Sequence, residues 1–260
     1  MLALIAGTGD LPAAVLGSRT DVVVCAMQGF PPVVPVDMTF RIEHLGGFLD
    51  QLIARGVTEV CFAGAIKRPI IDPAEVGPDT APLIAVILDA IRKGDDGALR
   101  AIIGIFEARG LTVVAAHDLA RHLLPVAGVL TTARPDADIM RAAVVGERVI
   151  TRLGALDQGQ ACVIGPSDVL AEEGPEGTDA MLSALSGATD AILYKAPKPD
   201  QDRRADLPVI GPATATAAAK AGLRAIAIEA GGVMVLDAAS VTRILDDHGM
   251  VLWVRPRTES

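Results

Sequence analysis

The stretch LALIAGTGDLP, residues 2–12, places an apolar run directly before two glycines and a proline. The apolar run is typical of a buried strand, and the glycines with Pro12 predict a tight turn into a short helix. The same alternation continues along the chain, since 21–27 and 59–64 predict strands and 44–56 predicts a helix that ends at a glycine. It indicates a parallel sheet covered by helices.

The composition supports this fold class and suggests two domains. Of the 260 residues, 51% are hydrophobic but only 3% are aromatic, so the core is built of Val, Ile, Leu and Ala, which suits helices packed on a sheet. The segment 123–135 interrupts the alternation with two prolines and predicts a linker. We therefore predict an α/β protein with two α/β domains, 1–130 and 134–260.

Charge and cysteine usage exclude some classes of protein. A net charge of −9 provides no basic face for nucleic acid. Cys25, Cys61 and Cys162 each lie in an apolar, strand-like run, which predicts reduced thiols in the core. We see no signal peptide, and the longest apolar run, 81–88, is too short to cross a bilayer. We expect a cytoplasmic protein, with contact at a membrane surface left open.

The turn GTGDLP is the first candidate binding site. Gly7 and Gly9 would let backbone N–H groups approach a phosphate. However, Pro12 replaces the third glycine of the dinucleotide-binding motif, and the second strand is followed by Gln28 rather than by an acid that holds a ribose. A nicotinamide cofactor is therefore disfavoured. A purely structural turn, with Asp10 as the helix N-cap, is an equal alternative.

The segment FAGAIKRP, 62–69, ends the third predicted strand with a glycine and two cations. The carboxyl ends of strands are where open α/β sheets bind ligands. Gly64 and Arg68 are therefore candidate binding residues, with the Arg68 guanidinium suited to a phosphate or a uracil. The alternative is a solvated basic loop.

The segment EGPEGTDAML, 173–182, contains a glycine turn followed by a predicted helix. Gly177 forms part of the turn, and Thr178 is predicted as the N-cap of a helix whose free N–H groups suit an anion. Glu173 and Glu176, in a cluster of acids, are candidate ligands for a hard cation. A capped helix on a solvated acidic loop is the alternative.

The segment KAPKPDQDRRADLP, 195–208, concentrates both charge signs around three prolines. Cations can neutralise the oxygens of a diphosphate, and a carboxylate among them can hold Mg²⁺ or orient a water. A surface loop of self-paired charges would not explain the rigid prolines at a strand exit, so we favour a functional role. The candidate site residues are Lys195, Lys198, Gln201, Asp202, Arg204 and Asp206.

Several short motifs together resemble the UDP-2,3-diacylglucosamine pyrophosphatases of the LpxI type. They occur in family order over nearly the whole chain: LIAGTGDLP, FAGAIKRP, RKGDDGALR, EGTDAML, KAPKPDQDRRADLPVIGPAT and AGLRAIAIEAGGVMVLD. The resemblance implies a Rossmann-like parallel sheet in the N-terminal domain and a family-specific, mixed-sheet fold in the catalytic C-terminal domain. It also implies a site between the domains.

The resemblance implies Mg²⁺-dependent hydrolysis of UDP-2,3-diacylglucosamine to UMP and 2,3-diacylglucosamine 1-phosphate (lipid X) in lipid A biosynthesis. The key aspartate of the family falls on Asp206, its EGTD threonine on Thr178, and its two motif lysines on Lys195 and Lys198. We expect Asp206 and the lysines to be catalytic. The expected metal ligands are Asp206, Asp202 and Glu176.

Two other functions are consistent with the sequence. One is a non-catalytic protein that binds a nucleotide or a UDP-lipid, since binding and cleavage use similar residues. The other is a nucleotide-sugar oxidoreductase that uses the GTGDLP turn, which the missing third glycine disfavours. For the hydrolase we expect a homodimer, no nucleic-acid partner, and a cytoplasmic location with peripheral contact at the inner membrane left open.

Overall fold

The chain forms two compact units in the computed structural model, which describes residues 1–66, 69–92, 95–199 and 201–257. The first unit consists of Met1–Arg121 together with Asp202–Asp206. The second unit contains the described residues from His122 onward, apart from that short segment. The first unit is therefore built from two separate parts of the sequence, and a cut at one linker does not isolate it.

The first unit contains a parallel sheet with the strand order β3-β2-β1-β4-β5. Its strands are β1 (Leu2–Ala6), β2 (Val22–Met27), β3 (Met38–Phe40), β4 (Glu59–Ala63) and β5 (Thr112–Val113). Its helices are α1 (Leu11–Leu16), α2 (Leu45–Ala54), α3 (Ala81–Arg92), α4 (Asp95–Ala108) and α5 (Ala116–Leu119). The strand order reverses at β1, because β2 lies on one side of it and β4 on the other.

The second unit contains a mixed sheet with the strand order β6-β13-β11-β9-β7-β8. Its strands are β6 (Gly128–Val129), β7 (Ala161–Ile164), β8 (Val169–Glu172), β9 (Ile192–Lys195), β11 (Ala225–Glu229) and β13 (Val251–Arg255). Strands β9, β11 and β13 are parallel, whereas β6, β7 and β8 pair antiparallel with their neighbours. The short strands β10 (Val209–Ile210) and β12 (Met234–Val235) pair separately in parallel.

Helices cover both faces of this second sheet. Its helices are α6 (Ala137–Ala155), α7 (Thr178–Ser183), α8 (Pro212–Ala221) and α9 (Ala238–Asp247). On one face α6 packs on side chains such as Ile192 and Ala227. On the other face α7, α8 and α9 share a core with Leu193 and Ile226. Successive side chains along a strand, such as Ile192 and Leu193, therefore pack into the cores on the two different faces of the sheet. The prediction of two α/β domains, the first with a parallel sheet, is confirmed.

Helix α6 shows how the sequence specifies an element that later supports the candidate site. The Asp136 carboxylate accepts N–H bonds from Asp138 at 3.0 Å and Ile139 at 2.9 Å, which caps the helix. On the buried face, a Cβ atom at Gly146 would lie 2.5 Å from the Tyr194 side chain. The glycine therefore lets α6 lie close against β9.

The burial of the three cysteines agrees with the sequence analysis. Cys25, Cys61 and Cys162 are buried, and burial raises the pKa of each thiol to about 12, as expected of core thiols. In the described part of the chain, no helix has the length and apolar character required to span a bilayer.

We predict that Asp136→Ala lowers the midpoint of thermal unfolding by roughly 2–4 °C, because the first turn of α6 loses its cap. Asp136→Asn keeps an acceptor for the cap but loses the charge that pairs with Arg224, so at pH 7 it should lie between wild type and Asp136→Ala. The Ile139 N–H bond and the Arg224 ion pair lower the pKa of Asp136. Its stabilising contribution is therefore complete at pH 7 and is lost as the pH falls below about 4, through the lowered folded-state pKa.

Thermal unfolding followed by circular dichroism at pH 7 and pH 3 measures both effects. Asp138→Ala is the matched control, because Asp138 is an exposed carboxylate in the same turn whose side chain pairs with Arg141 at the surface. Equal destabilisation by Asp136→Ala and Asp138→Ala would contradict the capping role.

Candidate functional site

The turn that follows β1 is joined to the loop that follows β4 by backbone hydrogen bonds. The Gly7 N–H donates to the Ala63 carbonyl at 2.8 Å, and Thr8 and Ala65 exchange two N–H···O bonds of 2.9 Å. A Cβ atom on Gly7 would lie 2.5 Å from the Ala65 carbonyl oxygen, and Gly64 has a φ of +88°. Both glycines therefore serve this close approach, and the Gly7 and Thr8 N–H groups donate to protein oxygens.

The tip of the same turn is exposed. Gly9 has a φ of +93°, which favours glycine, and a Cβ atom at this position would meet no other atom within 4 Å. Asp10 occupies the N-cap position of α1 but its side chain accepts no capping hydrogen bond, while Pro12 lies in the first turn as expected. The structure therefore favours a structural role for Gly7, and Gly9 and Asp10 stay candidate contacts for a ligand.

An apolar cavity of about 330 Å³ lies at the carboxyl ends of β1 and β4. This is where the strand order reverses, the usual ligand position in such sheets. Among its walls are the apolar side chains of Ile5, Phe62, Ile87, Leu99, Ile102 and Phe106. Gly64 also lines the cavity. Of the described lining residues, Asp206 alone is charged, so one carboxylate borders an otherwise apolar space.

The turn that carries Asp206 belongs to the first unit and is held against α4. The Asp202 N–H donates to the Asp96 carboxylate at 3.2 Å, and Arg204 donates to the Glu107 carboxylate at 2.6 Å. The Asp206 N–H donates to the Asp202 carbonyl at 3.3 Å. These contacts fix the turn that brings Asp206 to the cavity.

The side chains of Asp202 and Arg204 form hydrogen bonds with each other. The Arg204 guanidinium donates to both carboxylate oxygens of Asp202, at 3.0 and 2.8 Å. This hydrogen bonding lowers the pKa of Asp202 despite its partial burial, so the carboxylate is ionised at neutral pH. Asp202 therefore acts as an anchor of the turn. Arg68, the other predicted cation of this unit, lies outside the described residues.

In the second unit, Lys195 and Thr178 are buried and in contact. Lys195 ends β9, and its Nζ donates to the Thr178 hydroxyl at 2.7 Å. The Thr178 hydroxyl in turn donates to the Glu173 carboxylate. The prediction that Thr178 is the N-cap is wrong: Gly177, with a φ of +87°, takes that position, and Thr178 begins α7. Because Gly177 takes the N-cap position, the Thr178 hydroxyl is not used to cap α7 and accepts from Lys195 instead.

Lys198 lies on a proline turn that packs against the end of α6. Its Nζ donates to the Asp157 carboxylate at 2.6 Å, and its N–H donates to the Gln201 side-chain oxygen at 3.0 Å. A Cβ atom at Gly154 would lie 2.6 Å from Pro199, so the absence of a side chain there permits the approach. Gln201, a predicted substrate contact, therefore also shapes the backbone of the turn.

The predicted metal ligands belong to different units. Glu176 is exposed in the second unit, whereas Asp202 and Asp206 belong to the first. Within the described ranges, no group of three or more His, Cys, Asp and Glu side chains is arranged to hold a metal ion. Mg²⁺ commonly takes one or two carboxylates together with waters and substrate phosphates. Of the predicted ligands, Asp202 is the least suited, because both of its carboxylate oxygens accept hydrogen bonds from Arg204.

Two acids support the candidate lysines in roles that were not predicted: Glu173 was expected only as a candidate ligand for a hard cation, and Asp157 was not among the predicted site residues. Glu173 reaches Lys195 through Thr178, and Asp157 binds Lys198 directly. Glu173 lies close to the EGTD motif, which offered a local signal. Asp157 had no such signal, because no sequence spacing relates the end of α6 to the turn that follows β9.

Comparison with known proteins agrees with the motifs. The model of the LpxI N-terminal domain matches residues 1–123, and that of the LpxI C-terminal domain matches residues 126–253. The chain is 38% identical over 229 residues to a Caulobacter vibrioides protein named UDP-2,3-diacylglucosamine pyrophosphatase LpxI, covering 83% of this chain and 81% of the relative. The resemblance seen in the motifs is thereby confirmed, and the chain belongs to the LpxI family.

Proposed function

We propose that this chain hydrolyses the diphosphate of UDP-2,3-diacylglucosamine to UMP and 2,3-diacylglucosamine 1-phosphate, a step of lipid A biosynthesis. The name of the Caulobacter relative supports the substrate and the reaction, since the two chains align over most of their lengths. The chemistry of the described residues supports the same assignment.

The observation that carries the proposal is the cavity beside Asp206. Ligand pockets typically begin at about 300 Å³ and combine apolar walls with a few placed polar groups. The cavity of about 330 Å³ has that character, with Asp206 as its charged member among the described lining residues. An apolar space is suited to an acyl chain, whereas a nucleotide alone would leave these walls without an apolar partner.

Lys195, Lys198 and Asp206 supply the polar chemistry in this proposal. Each ammonium would neutralise diphosphate oxygens, on which charge builds up as the bond breaks. Asp206 would hold Mg²⁺ or orient the attacking water. When bound, Mg²⁺ would act as a Lewis acid on a phosphoryl oxygen. The carboxylate needs such a cation nearby, because it would otherwise repel the anionic substrate.

We expect purified protein to release UMP from UDP-2,3-diacylglucosamine in the presence of Mg²⁺. EDTA should abolish the release, and added Mg²⁺ or Mn²⁺ should restore it. Chromatographic detection of UMP measures the reaction. Full activity in metal-stripped protein would contradict the metal role, and substrate binding without UMP would instead indicate a non-catalytic UDP-lipid-binding protein.

Asp206→Ala should lower kcat about a hundredfold or more, corresponding to about 3 kcal/mol, because the carboxylate acts mainly in the transition state. Substrate affinity should change much less. UMP release and equilibrium binding, measured at the same Mg²⁺ concentration, test this difference. Asp50→Ala is the control, since Asp50 is an exposed acid of the same unit that pairs with Arg109. Turnover of Asp206→Ala within a few-fold of wild type would refute its role.

Ala98→Phe should narrow the cavity that Ala98 lines and lower kcat/KM for the diacylated substrate at least about tenfold. A UDP-glucosamine analogue with short acyl chains should be affected less, since it needs less apolar space. Ala85→Phe serves as the matched control, because Ala85 is exposed on α3. Equal losses of kcat/KM with long-chain and short-chain substrates would argue against an acyl site.

The proposal also includes a homodimer, a cytoplasmic location and peripheral contact with the inner membrane. A substrate with two acyl chains is a membrane lipid, so in this proposal the enzyme would meet it at the bilayer surface. Sedimentation velocity and co-sedimentation with lipid vesicles measure the oligomeric state and the membrane contact.

A further inference from the structure

Glu173 occupies an unusual position for an acid at the edge of a sheet. It follows β8 by one residue, and its N–H donates to the Ala161 carbonyl at 2.9 Å, which continues the pairing with β7. Its carboxylate turns back and accepts two hydrogen bonds, one from the Gln160 N–H and one from the Thr178 hydroxyl. Backbone and side chain of Glu173 are thus both fixed.

The neighbouring chain is shaped to allow this arrangement. A Cβ atom at Gly159 would lie 2.4 Å from the Glu173 carbonyl oxygen and 2.5 Å from the Glu173 Cβ. Any other residue at position 159 would therefore displace the acid or the backbone beside it. Glu172, one position earlier, is exposed and pairs with Arg152 at the surface. Two adjacent glutamates thus have different surroundings, and only Glu173 reaches Thr178.

The hydrogen bonds from Lys195 to Glu173 have one possible direction. An ammonium can only donate, an ionised carboxylate can only accept, and a threonine hydroxyl has a single proton. The hydroxyl proton goes to Glu173, so a hydroxyl lone pair faces the Lys195 Nζ at 2.7 Å. With the proton committed to Glu173, Thr178 acts toward Lys195 as an acceptor of fixed orientation.

We infer that Glu173 is a positioning residue, which orients the Thr178 hydroxyl and through it sets the place of the Lys195 ammonium. The link to catalysis rests on the proposed function, in which Lys195 neutralises diphosphate oxygens. Misplacement of such a group by about 1 Å can reduce a rate by roughly a hundredfold. A carboxylate that touches no substrate atom would in this way influence turnover.

A double-mutant cycle distinguishes positioning from mere support of the sheet. In Glu173→Gln, an NH2 group, which only donates, replaces one of the two oxygens that separately accept from the Gln160 N–H and the Thr178 hydroxyl. If Glu173 acts through the hydroxyl, Glu173→Gln should lower kcat/KM about tenfold or more in wild type but have no further effect on Thr178→Val, which lacks the hydroxyl. In Thr178→Ser, which keeps the hydroxyl, the effect of Glu173→Gln should persist. Glu172→Gln is the matched control and should resemble wild type.

A second measurement tests the hydrogen bonds that connect Glu173, Thr178 and Lys195 without relying on turnover. Acetic anhydride labels the lysine amines of the folded chain. Mass spectrometry of the peptides after digestion then gives the rate of labelling at Lys195. Glu173→Gln and Thr178→Val should each raise that rate severalfold, and the double variant should match Thr178→Val alone. Unfolding curves of each variant exclude general loss of structure.

The outcomes separate the inference from the proposed function. Absence of UMP release by wild type would end the proposed function, while coupled labelling rates would still support the positioning role of Glu173. Independent effects of the two substitutions on labelling would overturn the positioning role even in an active hydrolase. An unchanged kcat/KM in Glu173→Gln, in a wild type that releases UMP, would overturn its influence on turnover.

Discussion

The backbone bridge between the loops that follow β1 and β4 determines the geometry of the first unit. Thr8 and Ala65 exchange their N–H and carbonyl groups, and Gly7 and Gly64 make room for that exchange. Because the bridge joins two neighbouring strands just beyond their ends, it fixes the base of the cavity, which Gly64 and Ala65 line. Residues of α3 and α4 form other walls of this cavity, and the turn held on α4 brings Asp206 to it.

The same arrangement bears on the other functions that the sequence left open. A dinucleotide-binding turn presents its N–H groups to a pyrophosphate, whereas the N–H groups of Gly7 and Thr8 donate to protein oxygens. The turn thus contributes to the shape of an apolar cavity. In the second unit, by contrast, positive charge is held in place by acids: Glu173 acts on Lys195 through Thr178, and Asp157 binds Lys198.

Patterned elements could be predicted from the sequence, and elements that depend on distant partners could not. The fully buried run of β1 and the capped helix α6 have local signals in apolar spacing and in Asp136. The two-residue strands β6 and β10 have none, because they form only where a partner strand lies beside them. The motif lysines were selected by their chemistry. The site of Asp157 depends on how α6 packs on the turn at Pro199, which local sequence does not specify.

The discontinuity of the first unit has a consequence for the order in which the chain is made. Its cavity is lined in part by Ala205 and Asp206, which follow Arg121 by more than a quarter of the chain. At roughly 5–20 residues per second, translation would deliver these residues about 4–16 s after the rest of the unit. During that interval the nascent unit lacks the part of its cavity lining that Ala205 and Asp206 supply. The first unit can therefore be completed only after residues 122–201 of the second unit have been synthesised.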